Sequence, residues 1–199
     1  MNRVDVIQSL LGKIKGSTYL EIGILRGDTI RKIKASTKYG IDIKRPEDAS
    51  GMEFFQMTSD RFFEKKAYSL KRLDVVFIDG LHEFEQVKKD VFNSLKYLSA
   101  KGFIVLHDCN PQSEIMQIVP QKQGEWTGDV WRVIPFFRSV LDRDIFVIDT
   151  DYGLGIITPQ NGVEKLEYKD YSYFDLEKDR EYILNLKHED YFLRFLYEN

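Results

Sequence analysis

The sequence predicts an α/β fold built on a doubly wound, mostly parallel sheet, and three observations predict it. From Tyr19 to Leu106, short apolar segments of strand character alternate with amphipathic segments of helical spacing, the order that gives parallel strands joined by right-handed crossovers. The first of these strands runs straight into a glycine-bearing turn, Glu21-Ile22-Gly23-Ile24-Leu25-Arg26-Gly27. Two further clusters, Asp79-Gly80-Leu81-His82 and His107-Asp108-Cys109, directly follow the fourth and fifth strands, and ligands of open parallel sheets bind outside those carboxyl ends.

Composition narrows the class. A chain of 199 residues, 43% apolar and 31% charged, can bury a full core and suits a single domain over residues 1–199. Its formal net charge of −3 provides no broad basic face, which argues against a nucleic-acid partner. No apolar run approaches the ~20 residues a membrane span requires, and the first residues, MNRVDVIQSLLGKIKG, lack a secretory pattern, so the expected location is the cytoplasm. The one cysteine, Cys109, excludes an internal disulfide and a cysteine-based zinc cluster and reads as a small buried apolar residue.

In chain order, Val4, Ile7, Leu10, Leu11 and Ile14 give an amphipathic helix ending at Gly16. Tyr19, Leu20 and Ile22 form the first strand. Gly23 and Gly27 follow with a spacing unlike the dinucleotide fingerprint, whose middle glycine would stand at Leu25. Glu21 and Asp28 place carboxylates on both sides of the turn, which would repel a pyrophosphate. A ligand with an ammonium and a sulfonium beside one carboxylate fits better: Glu21 attracts the cations, and a helix expected over Asp28–Ser36 offers its N-terminus to the carboxylate. S-adenosylmethionine has that charge pattern.

Tyr39–Ile43 forms the second strand, with Asp42 near its end, where an acidic residue of a doubly wound fold accepts ribose hydroxyls. Met52–Met57 is the third strand. Thr58, Ser59 or Asp60 caps a helix over Arg61–Ser69, and Ser59 or Asp60 would lie over the crevice within reach of an adenine. Leu73–Gly80 is nearly all apolar, as expected for a central strand covered on both faces. A helix over His82–Leu98 turns Phe84, Val87, Val91 and Leu95 inward, Lys101-Gly102 closes it, and Phe103–Leu106 is the fifth strand. Residues 110–128 form a long segment of little regular signal, lid-like in a compact domain. Val130–Leu141 is helical, with Pro135 as a kink or first turn, and Ile145–Ile148 with Leu154–Ile157 reads as a hairpin that adds an antiparallel strand. The segment 163–199 is an aromatic-rich extension, helical over Leu176–Tyr197, that could close the core's edge, cap the cleft or make a homodimer contact.

With these elements placed, the chain resembles a class I S-adenosylmethionine-dependent methyltransferase. It is similar to a small bacterial group whose motif runs V-F-I-D-G-x-H-x-Y/F, then a helix, then G-x-I-V-L-H-D. Here the matching residues are Val76, Phe77, Ile78, Asp79, Gly80, His82 and Phe84, then Gly102, Ile104, Val105, Leu106, His107 and Asp108. The resemblance implies a Rossmann-like, seven-stranded sheet with an antiparallel last strand. It also implies that Glu21, Gly23 and Gly27 line the methionine end of the cofactor, that Asp42 holds the ribose, and that Asp79 serves the cofactor side or a metal. Related sugar O-methyltransferases carry a divalent cation on the aspartate matching Asp79 and on acidic residues after the next strand, with a histidine base at the position of His82. This chain departs from them at His107 and Cys109.

Methylating an alcohol is an in-line displacement that requires the oxygen to be oriented, deprotonated and kept from water. His82 is the candidate base, a role worth ~100- to 10,000-fold. Asp79, His107 and Asp108 are the candidate ligands for magnesium or manganese, which would bind and acidify adjacent hydroxyls. Trp126 and Trp131 are candidate stacking faces for a sugar. The expected reaction is O-methylation of a sugar or small polar metabolite. The alternatives are a metal-independent methyltransferase of nitrogen or carboxylate acceptors, or a cofactor-binding domain without turnover.

Overall fold

The computed structural model describes residues 1–70, 72–162 and 165–198; Val163 and Glu164, the first residues of the predicted C-terminal extension, lie outside the described residues. The strands are β1 (Thr18–Ile22), β2 (Thr37–Asp42), β3 (Glu53–Gln56), β4 (Leu73–Ile78), β5 (Leu98–Leu106), β6 (Ile145–Ile148), β7 (Leu154–Ile157) and β8 (Leu186–Lys187). They form one sheet in the order β3-β2-β1-β4-β5-β7-β6-β8, in which β7 runs antiparallel to both neighbours. Among the described residues the sheet therefore has eight strands rather than the expected seven. The extra one is a two-residue parallel pairing of Leu186 and Lys187 with Val147 and Ile148 at the β6 edge. A pairing this short has no readable period, and its effect is to cover backbone groups that an edge strand would leave open.

Side-chain alternation splits the core into two layers. Leu20, Ile22, Val76, Ile78, Ile104 and Leu106 face one way, onto helices α2 (Ser59–Lys65), α3 (Phe84–Tyr97) and α4 (Val133–Val140). Tyr19, Val75, Phe77, Phe103 and Val105 face the other way, onto α1 (Arg3–Ile14) and the last helix, α7 (Glu189–Tyr197). Burial of β1, β4 and most of β5 on both faces is why these segments read as continuous apolar runs. Between them, α5 (Tyr173–Lys178) and α6 (Arg180–Leu184) break the expected long C-terminal helix, and α6 ends at Asn185 in the left-handed conformation. Among the described residues no helix is long and apolar enough to cross a membrane.

Two local expectations fail for physical reasons. The helix expected over Asp28–Ser36 is a series of turns, so no helix N-terminus faces the glycine turn. Side chains take over the backbone bonds a helix would have made. Gln8 of α1 accepts from Lys34 N and donates to Lys34 O, and Lys38 Nζ donates to Ile30 O, while buried Ile30 and Ile33 still anchor the segment. Likewise Lys101-Gly102 does not close a helix, because β5 already begins at Leu98, with a register irregularity opposite Leu73 and Val75.

Candidate active site

The sheet order places β1 beside β4, with chain connections diverging on either side, and this is the switch point at which a crevice opens in a doubly wound sheet. A cavity of about 840 Å³ lies there, lined by the turn after β1, the ends of β2 and β3, the loops after β4 and β5, and part of segment 110–128. That volume is in the range of small-molecule sites.

The cavity is held open by close backbone packing at Gly23. Its φ is +83°, and a Cβ there would stand 2.1 Å from the Asp79 carbonyl oxygen. Only glycine lets the end of β1 lie against the end of β4, where Asp79 N donates to Ile22 O at 2.8 Å. Gly27 has φ +79° but does not line the cavity; its N–H closes the turn onto Ile24 O. Among the non-glycine residues with positive φ, Leu25, Asp108 and Tyr152 line the cavity, so backbone strain collects where the site is.

Glu21 lines the cavity although only 2% exposed, and its Oε2 accepts from Tyr19 Oη at 2.5 Å. Burial pushes its carboxyl up to about 8, against the opposing effects of Tyr19 and Arg3. In the folded chain Glu21 therefore keeps its proton up to about pH 8, whereas unfolded it would lose it near 4.5, so folding stability falls as pH rises through that window and levels off above it. Glu21→Gln is expected to raise the melting temperature of the ligand-free protein, with a gain that grows from pH 5 to 8 and is of order 3 kcal/mol at neutrality. Melting curves of both proteins across this range check it, and parallel pH profiles would refute it.

Asp42 sits at the cavity wall with Oδ2 accepting from Leu25 N at 2.8 Å and Oδ1 accepting from Lys44 N at 2.9 Å. Each oxygen retains a lone pair, so holding the turn does not exclude holding a ligand hydroxyl. Ser59 and Asp60, at the start of α2, also line the cavity, joined there by Gln86 and Asp90 of α3.

At the other end stands a charged cluster. His82 Nδ1 is 3.0 Å from Asp108 Oδ2, and its Nε2 is 3.5 Å from Asp79 Oδ1. His107 Nδ1 lies 3.0 Å from Asp108 Oδ1 and 3.2 Å from Asp79 Oδ1, while its Nε2 is 3.3 Å from Asp151 Oδ1. Arg3 of α1 completes the group, with Nη1 on Asp79 at 2.7 Å and Nε and Nη2 both on Asp151 at 2.8 Å. Burial alone would lower both histidines, but the carboxylates outweigh it, raising His82 to about 9 and His107 to about 11. Burial would likewise raise Asp79, yet the two histidines and Arg3 hold it well below the usual carboxylate range.

The cation donors converge differently from the expected set. One donor atom each of Asp79, His82 and Asp108 lie within 4.8 Å of one another, so His82 takes the place expected of His107, which is engaged with three carboxylates instead. The Nδ1 atoms of His82 and His107 are buried without a hydrogen bond of good geometry despite the nearby carboxylate oxygens. Orphaned imidazole nitrogens among carboxylates are a donor set that a divalent cation satisfies.

Trp126 lines the cavity, stacked on His82 with centroids 5.2 Å apart and an interplanar angle of 14°. Trp131, by contrast, is 1% exposed and belongs to the core. Cys109 is fully buried, and burial raises its thiol, so it fills space as expected. The segment 110–128 is ordered over the site: Trp126 Nε1 donates to Ile118 O, Tyr152 Oη donates to Glu125 at 2.6 Å, and Gly128 packs on the His82 carbonyl.

Arg3 and Glu125 carry no signal in the sequence, and Asp151 and Tyr152 only that of a turn. Arg3 and Asp151 are 148 residues apart, and only the packing of α1 beside the turn between β6 and β7 brings them together. For Asp151 and Tyr152 the one available cue was the tight Asp-Tyr-Gly connection between apolar strands.

Comparisons with known proteins agree with this architecture. Residues 20–109 match a family described as a methyltransferase domain. No curated protein matches the sequence. Among solved structures, the chain is similar to MycE, a methyltransferase of the mycinamycin biosynthetic pathway in complex with Mg, SAH and mycinamycin VI, at 15% identity and TM-score 0.53 over 80% of this chain and 49% of that one. It therefore spans about half the length of that protein. The O-methyltransferase TomG from Streptomyces achromogenes, involved in tomaymycin synthesis and bound to SAM, aligns at 14% identity and TM-score 0.59 over 78% of this chain and 79% of that one. An O-methyltransferase family protein from Burkholderia thailandensis aligns at 14% identity and TM-score 0.54 over 81% of this chain and 56% of that one. At these identities the structures speak for the fold. Over residues 20–109, the segment that holds the glycine turn, Asp79, His82 and Asp108, the chain is similar to the methyltransferase-domain family.

Proposed function

We propose that the protein is an S-adenosylmethionine-dependent O-methyltransferase acting on a hydroxyl of a sugar or small polar metabolite. The observation that carries this reading is one cavity joining the carboxylate-flanked turn at Gly23 to the His82, Asp79 and Asp108 cluster. Glu21, protonated in the unliganded site, gives up its proton to face the ammonium of the methionine moiety, and Asp42 holds the ribose. Arg3, in the charged cluster at the other end, offsets Asp79 and Asp151 there. The acceptor enters between Trp126, Leu81 and Tyr152, where the 110–128 segment excludes water.

His82 accepts the hydroxyl proton, and the adjacent Asp79 and Asp108 orient its ring. In the unliganded site those carboxylates favour the imidazolium, so His82 acts as a base once their charge is drawn toward another partner. A divalent cation would be held by Asp79, Asp108 and His82 and would supply Lewis-acid polarisation of the acceptor oxygen; with its lone pair given to the cation, His82 would there be a ligand and not the base. The charge count suits it: three aspartates face Arg3 and two histidines, and one divalent ion can replace the two imidazolium protons without changing the total. Because one donor is an imidazole, manganese is favoured over magnesium, which prefers all-oxygen sites.

The test is a screen of sugars and nucleotide sugars for a cofactor-dependent mass gain of one methyl. Turnover of a hit is expected to fall by more than about 100-fold with a strong chelator and to return more fully with manganese than with magnesium. Absence of any methylated hydroxyl product, with methylation of amines or carboxylates instead, would replace this reading. Chelator-insensitive turnover would remove the cation from it.

A further inference from the structure

The turn between β6 and β7 runs through Thr150, Asp151, Tyr152 and Gly153 and is closed by Gly153 N donating to Thr150 O at 2.8 Å. Both central residues are left-handed, Asp151 at φ +50° and Tyr152 at φ +59°, in a turn type that asparagine and glycine ordinarily fill. At Asp151 the contacts with Arg3 and His107 offset the strain. Tyr152 has no such reason in the fold: it is 38% exposed and belongs to neither core layer, and a bulky side chain in this conformation is strained. Its contacts are with the cavity. Tyr152 lines the wall, its ring meets His107 edge to face with centroids 6.5 Å apart, and its Oη donates to Glu125 Oε1 at 2.6 Å.

Glu125 also lines the cavity, between two anchored rings. Trp126 follows it in the chain, fixed by its bond to Ile118 O and its stack on His82, while Tyr152 holds Glu125 from the turn between β6 and β7. Among the described residues Glu125 pairs with no basic side chain. The cavity's two arginines are committed elsewhere, Arg3 to Asp79 and Asp151 and Arg26 to the glycine turn. Since Asp79, Asp108 and Asp151 are matched by Arg3 and the two histidines, Glu125 is the unmatched negative charge of the acceptor end.

We infer that Glu125, framed by Trp126 and held by Tyr152, is the recognition site for an ammonium group on the acceptor, so that the substrates are amino sugars or amino alcohols and phosphorylated sugars are excluded. This rests on the O-methyltransferase reading above, in which the acceptor enters between Trp126, Leu81 and Tyr152. An ammonium meets both features of the wall: it gives the carboxylate a charge-assisted hydrogen bond, and aromatic faces attract it. A neutral hydroxyl would take the hydrogen bond and leave the charge unmatched, and a phosphate would add a like charge beside it. Because Trp126 also stacks on His82, the subsite adjoins the proposed base, as an ammonium and a reacting hydroxyl on one small molecule require. Glu125 is then a specificity-determining residue, and the strained Tyr152 positions it.

The experiment has two arms, both on the full chain. In the first, protein saturated with S-adenosylhomocysteine is titrated by NMR with choline and with 3,3-dimethylbutan-1-ol, alcohols of the same shape that differ in charge. Choline is expected to bind about 5- to 30-fold more tightly. Glu125→Gln and Tyr152→Asn should each bring the ratio within about threefold, the second without lowering the melting temperature, because asparagine tolerates left-handed backbone. The ratio of two affinities is insensitive to a general loss of stability. A wild-type ratio near one, or a preference that survives in both variants, overturns the inference, and so does a large fall in melting temperature for Tyr152→Asn, which would give the strained tyrosine a structural reason. In the second arm, amino sugars, their N-acetylated forms and their phosphates are compared as acceptors, and the amines are expected to be favoured by at least about 10-fold in kcat/KM, with the new methyl on oxygen. Hydroxyl methylation without that preference overturns the inference alone. Absence of a methylated hydroxyl on any acceptor overturns the O-methyltransferase reading, and the inference with it.

Discussion

His82→Ala is expected to lower the rate of methyl transfer by about 100- to 10,000-fold while changing the affinity for adenosylhomocysteine by less than about threefold. The asymmetry follows from position. His82 lies just before α3 between Asp79 and Asp108, with Trp126 stacked on its face, on the proposed acceptor side of the cavity, whereas the proposed cofactor groups Glu21 and Asp42 stand at the ends of β1 and β2. Its side chain is not part of the hydrophobic core, so its loss should leave the fold intact. The measurement is a single-turnover rate on any methylated acceptor, paired with calorimetry. An equal fall in rate and cofactor affinity would move His82 to the cofactor side, and an unchanged rate would assign the proton transfer to another group.

Gly23→Ala should cost far more stability than a methyl added to a glycine in open space. A Cβ at Gly23 meets the Asp79 carbonyl oxygen at 2.1 Å and Gly80 Cα at 2.5 Å, all backbone, and φ +83° is strained for any L side chain. Relief requires separating the ends of β1 and β4, where Gly23 N donates to Ile41 O and Asp79 N donates to Ile22 O. Strain of about 1–3 kcal/mol and the loss of one or two such hydrogen bonds sum to roughly 3–5 kcal/mol, a fall in melting temperature on the order of 10 °C for a chain of this size. Gly12→Ala is the control. That glycine lies within α1 with nothing within 4 Å of the added methyl, so alanine is expected to be neutral or to gain up to about 1 kcal/mol. Similar melting temperatures for the two variants would remove the close packing at Gly23 from the account of the site.

Much of the architecture was written in local pattern. Leu73-Asp74-Val75-Val76-Phe77-Ile78 announces a strand covered on both sides because each of its faces meets a helical layer. Gly23 announces a turn because no other residue tolerates both its φ and its neighbour. The segment Asp28–Ser36 has helical spacing yet forms turns, because spacing does not show that Gln8 and Lys38 satisfy part of its backbone. The strand at Leu186–Lys187 was invisible because two residues carry no periodicity.

What the sequence by itself determined is the run of strands and helices, the turn at Gly23, and the presence of Glu21, Asp42, Asp79, His82 and Asp108 at strand ends, since hydrophobic period and chain direction act over a few residues. Which of these groups meet, and in what charge state, was decided only by the tertiary structure. Arg3 reaches Asp79 and Asp151 from the far end of the chain, His107 turns into an ion-pair hub, and Glu21 and Asp90 lose solvent and hold their protons more tightly. Ionic contacts and desolvation depend on distance in space, and residues separated by more than a hundred positions leave no mark of that distance in the order of the chain.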